Sequence, residues 1–79
     1  MKLYLTTGIV AKYAGCAPRT VAKWFDSGKL IGWVLPGSKD RRFRPVDVYT
    51  FFKTNGIPIP EELKKYENQA KEEEDQVHS

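Results

Sequence analysis

Apolar and polar positions alternate along this chain in two different rhythms. In "LTTGIVAKYAG" (5–15), Val10, Ala11 and Ala14 recur at helical spacing. Thr6 or Thr7 can cap the start, and Gly15 is a natural stop. A second helix is predicted over 18–27, in "APRTVAKWFDSG". Pro18 suits the first helical position, where its missing N–H would be unpaired anyway. Gly28 suits the left-handed turn that ends a helix. Only two or three residues, around Gly15 to Ala17, separate the two helices, which is the spacing of a helix-turn-helix. Val21, Trp24 and Phe25 fall on one face of the second helix as a core stripe. Arg19, Ala22, Lys23 and Asp26 fall on another.

After Gly28 the period shortens. Ile31, Trp33 and Leu35 alternate with Gly32 and Val34, as in a strand. "PGSKD" then reads as a hairpin tip, and Phe43 lies between Arg42 and Arg44 with its ring directed to the core. A lone hairpin is marginal in water, so this one must lean on the helices. "RPVDVYTFFKTNG" (44–56) predicts a third helix, opened by Pro45 and closed by Asn55-Gly56. "IPIP" reads as an extended strap. "EELKKYENQAKEEEDQ" predicts one last helix with a thin stripe of Leu63, Tyr66 and Ala70, and "EEEDQVHS" is expected to be frayed. The expected organisation is a folded domain over 1–56, followed by strap, acidic helix and tail over 57–79.

Size narrows the function. Seventy-nine residues give one small domain, too small for a deep catalytic cleft, while ten aromatics argue for a packed core. No apolar run approaches bilayer length and no signal-like h-region opens the chain, so the expected location is cytoplasmic and no membrane partner is expected. The single Cys16 excludes an internal disulfide and is read as filling a core gap. It forms no zinc set with the distant His78. No Ser/His/Asp set, carboxylate pair in the body or phosphate-cradling glycine loop is present. The expectation is a non-enzyme without metal or cofactor.

Charge sharpens the picture. The net +3 divides into a basic body and an acidic end. Residues 1–60 hold ten Lys/Arg against three Asp/Glu, and residues 61–79 hold three against seven. In "LPGSKDRRFRP", Lys39, Arg41, Arg42 and Arg44 crowd onto one turn with a single acid, Asp40. Basic bodies of this kind often meet nucleic acid, although solubility alone also favours surplus charge. Taken alone, Arg19 and Lys23 make an ordinary solvated face. After a tight turn, however, the start of a second helix is the part that reaches base edges.

The order of helix, tight turn, "PRTVAKWFDSGKL", hairpin "PGSKDRRF" and "VDV" resembles the MerR-type winged helix-turn-helix, in particular its single-domain excisionase and BldC-like branch. The resemblance spans roughly 5–56. It implies a mostly α fold with a small β-hairpin wing that binds double-stranded DNA. Arg19, Thr20 and Lys23 would then face the major groove from helix 18–27. Arg41 and Arg42 match the family's wing phosphate contacts, Trp24 would buttress the helix, and Lys39 and Arg44, by their place on the same wing 36–44, are read as further phosphate contacts. Two positions depart from the pattern: Ile9 stands where an acid is common, and Ala17 where a capping Ser is common. The long dimerising coiled coil and effector domain of full MerR regulators have no counterpart, so small-molecule sensing is not expected. The leading expectation is a small sequence-specific transcription regulator. The alternative is an excisionase-like architectural factor that bends DNA and recruits a recombinase. A protein-interaction module working through the acidic tail ranks third. The implied partners are DNA, neighbouring copies of the chain on DNA, and a recombinase or RNA polymerase.

Overall fold

Phe43 and Phe52, both fully buried, anchor the core of the computed structural model, which describes residues 4–78. The chain forms β1 (Leu5–Thr6), α1 (Thr7–Ala14), α2 (Pro18–Asp26), β2 (Trp33–Val34) and β3 (Arg41–Phe43). It continues as α3 (Pro45–Thr54), α4 (Glu61–Lys64) and α5 (Glu67–His78). The fold is therefore mostly helical, with a small antiparallel sheet of order β1-β3-β2, in a globule with a radius of gyration of 12.5 Å. Among the described residues, no helix is long and apolar enough to cross a membrane.

The three body helices follow their punctuation. The Ile9 N–H donates to Thr6 Oγ1 at 3.2 Å, so Thr6 is the cap of α1. Gly15 ends α1 at φ +71°, a conformation that costs glycine no Cβ clash. Prolines open α2 and α3. From α1 come Val10 and Ala11, from α2 Val21, and from α3 Val48, Phe51 and Phe52 to build the shared core.

Four local readings change. Leu5–Thr6 are not the start of the first helix but a strand, with Leu5 opposite Phe43 and Thr6 opposite Arg42. Pairing to β3 buries Leu5, and two residues are too few to show a strand period. The strand expected across 31–35 shrinks to Trp33–Val34, and Ile31 is 68% exposed. The preceding residues are committed elsewhere, because the Lys29 and Leu30 N–H groups both donate to the Trp24 carbonyl and close the end of α2. Gly32 is needed here for closeness rather than for its backbone angle. A Cβ at this position would lie 2.6 Å from Phe43 Cδ1 and 2.8 Å from the Arg42 carbonyl oxygen.

The expected single last helix is two helices, joined by a turn in which the Tyr66 N–H donates to the Leu63 carbonyl. The stretch expected to fray is helical to His78, and its last residue, Ser79, lies outside the described residues. Among the described residues, three side-chain ties hold α5: Lys71 to Glu67 at 3.4 Å, Gln69 to Glu73 at 3.1 Å, and Arg44 of the body to Glu73 at 2.8 Å. Residues 57–70 share the body's core. Leu63 is fully buried, and Ile57, Ile59, Tyr66 and Ala70 pack against the same cluster.

Candidate nucleic-acid interface

Packing sets the rotation of α2. Val21 points into the core, Trp24 meets Phe51 with centroids 4.9 Å apart, and Phe25 meets Phe43 edge-on at 6.0 Å. With that stripe turned inward, Arg19 and Lys23 are exposed and Thr20 is half-buried. The helix starts without a side-chain cap. Ala17 is extended and offers only its carbonyl, which accepts from the Thr20 N–H at 2.9 Å.

The hairpin is locked to the far end of this helix by Arg41. Its Nη2 lies 3.3 Å from Asp26 Oδ1, and its Cζ lies 5.6 Å from the centroid of the Phe25 ring. The Arg41 Nε is buried without a partner. This ion pair and the cation–π contact fix β3 relative to α2. They engage one of the four cations that the sequence assigned to phosphate contact, and Arg41 still lines the cleft described below.

Arg42 lies on the opposite face of β3 from buried Phe43, between Thr6 and Trp33 of the flanking strands. Its Nη1 donates to the Arg41 carbonyl at 3.0 Å. Trp33 meets Tyr4 edge-on, 4.9 Å between centroids, and so flanks the same sheet face. Lys39 is exposed at the hairpin tip. The tip itself is held by the Leu35 N–H on the Asp40 carbonyl and the Asp40 N–H on Ser38 Oγ.

An open cleft of about 510 Å³ unites three elements: the start of α1 at Thr7 and Gly8, the start of α2 at Arg19 and Ala22, and the hairpin at Lys39, Arg41 and Arg42. Asp40 is the acid on this cleft's wall. The first turn of α1 carries no acid, and neither does that of α2, so the positive ends of two helices are left uncancelled beside the cations. An arrangement of this kind can hold an extended anion.

Not every candidate joins the cleft. Thr20 and Lys23 lie on α2 but do not line it. Arg44 is taken up elsewhere. Its Nε and Nη2 hold both oxygens of Asp47 at 2.8 and 2.9 Å, and Nη2 also reaches Glu73 Oε1 at 2.8 Å. Hydrogen bonds, first to Asp47 and then to Glu73, push the guanidinium pKa up, and the bond from Arg44 holds the Glu73 carboxyl below the usual glutamate range. Arg44 is thus the hub of a clasp between α3 and α5. The start of α1 was the part of the cleft missed by sequence reasoning. Its signal was the absence of Asp or Glu between Thr6 and Ala14. Cys16, in the turn between α1 and α2, is half-buried against the core, and burial pushes its thiol pKa up.

No family model matches the chain, and no curated protein or solved structure matches it.

Proposed function

We propose that this chain binds double-stranded DNA as a small sequence-specific transcription regulator. In this reading the fold works as a winged helix-turn-helix of the MerR and excisionase-like type. α2 enters the major groove, where Arg19 in its first turn and Lys23 in its last turn meet base edges. The hairpin serves as the wing, with Lys39 and Arg42 on the flanking phosphates. Arg41, on the cleft wall, also holds the wing against α2, whereas Arg44 is engaged by Asp47 and Glu73 and lies outside the cleft.

The observation that carries the reading is the convergence of Arg19, Lys39 and Arg42, from two separate elements, on one open cleft with two acid-free helix starts. Phosphate contacts supply affinity and base contacts supply sequence. A cleft with an exposed helix face on one side and a cationic hairpin on the other offers both.

The test is selection of bound duplexes from a random pool with the full chain, followed by footprinting. A recurrent sequence, protected over a short window, is the expected result. A pool that stays random after several rounds at physiological salt would overturn the regulator reading.

A further inference from the structure

A second concave surface shares no residue with the cationic cleft. It is a groove of about 670 Å³ between α3 and α5, bordered by the segment after α2. We propose that this groove docks an acidic segment of a partner protein bearing one bulky apolar side chain. The inference does not rest on the DNA-binding reading.

The floor is apolar. Val46 and Tyr49 of α3 and Ala70 of α5 line it, and Ile31 stands on its border with 68% of its surface exposed. A single exposed isoleucine is ordinary on any protein. One placed against a concave apolar floor offers a contact that an incoming apolar side chain can complete.

Charge decides what kind of segment fits. Among the described residues, the acids that line the groove are already engaged: Asp47 and Glu73 by Arg44, each at 2.8 Å, and Glu67 by Lys71 at 3.4 Å. Lys29 and Lys53 line the same groove, and neither pairs with a carboxylate among the described residues. Among the described residues, the groove therefore presents two uncommitted cations around an apolar floor. Acidic side chains on the partner complete those cations, and the apolar residue fills the floor beside Ile31. A nucleic-acid strand suits this groove poorly, because its phosphate backbone leaves the apolar floor of Val46 and Ala70, with Ile31 at its border, unfilled. Complementary charge of this kind mainly sets partner choice and association rate, and burial of the apolar anchor supplies the affinity.

The experiment pans a random peptide library, displayed on phage, against the full immobilised chain. Enriched peptides are expected to carry at least two acids and one Leu, Phe or Trp. A synthetic copy should lose ten-fold or more in affinity against Ile31→Asp, and against Lys29→Glu combined with Lys53→Glu, while Arg19→Ala leaves it unchanged. Ile31, Lys29 and Lys53 are exposed, so the variants keep the fold, and a thermal melt of each verifies it. Failure to enrich any sequence, enrichment of neutral or basic peptides, or equal affinity for the variants would overturn the proposal. Sedimentation over a range of concentrations adds one more outcome. Self-association abolished by Ile31→Asp would assign the groove to a second copy of the chain and reject the partner segment.

Discussion

Arg19 and Arg42 face the same cleft from different elements, and their loss should read differently. Arg19→Ala is expected to cost about 1–3 kcal/mol on a selected site and to relax the preference at one base pair. Arg42→Ala should weaken selected and random duplexes alike and reduce the slope of log K against log salt by about one unit. Anisotropy titrations of both variants on both duplexes, at several salt concentrations, check this; uniform losses for both would remove the base-reading role from Arg19. Phe43 is a different kind of residue, fully buried and in edge contact with Phe25. Phe43→Ala should cost about 3–5 kcal/mol in a urea melt, a large part of what a domain this size holds. The burial of Phe43 was legible because a lone apolar residue between two arginines has one plausible direction in a strand. The fate of Arg44 was not. Its second carboxylate, Glu73, lies 29 positions away, and no local pattern links them.

Helix boundaries were legible where the chain writes them in proline and glycine. Pro18, Pro45, Gly15, Gly28 and Gly56 mark the limits of α1, α2 and α3, and all three glycines have positive φ. The break between α4 and α5 has no such mark, because neither residue occurs between 61 and 79. Tertiary seating of Leu63 fixes that turn instead. Among these elements α2 has a specific weakness, its uncapped start at Ala17. Ala17→Ser should supply a hydrogen bond to an orphan N–H of the first turn and stabilise the fold by about 1 kcal/mol. For a domain of this length that is a rise in Tm of roughly 4–8 °C. A differential scanning melt checks it, and an unchanged Tm would show that the serine side chain turns to solvent. The sequence pointed to the cationic half of the cleft through its charge density. The half contributed by α1 depends on three-dimensional approach, which local pattern does not encode.

The clasp of Arg44 on Asp47 and Glu73 joins the last helix to the rest of the molecule and makes its attachment sensitive to acid. Glu73 titrates below the ordinary glutamate range in the folded state, chiefly because Arg44 hydrogen-bonds its charged form. The unfolded chain lacks this partner and binds the proton more readily. The stabilisation is therefore present above the unfolded value and disappears as pH falls through the folded one. The pair is exposed enough that its worth is about 0–1 kcal/mol. Melting curves from neutral to acid pH should fall more steeply for the native chain than for Glu73→Gln, and parallel curves would remove the clasp as the cause. The sheet has its own consequence for the whole molecule. β1 covers one side of β3 with only two residues, while β2 covers the other. A fragment starting at residue 7 would leave the β3 backbone with a row of unanswered donors and acceptors, next to the gap left by Leu5. A bare edge of this kind recruits any extended strand that meets it. Leu5 and Thr6 thus work as an edge guard, and loss of the segment that carries them should appear as light-scattering growth at concentrations where the 79-residue chain stays clear.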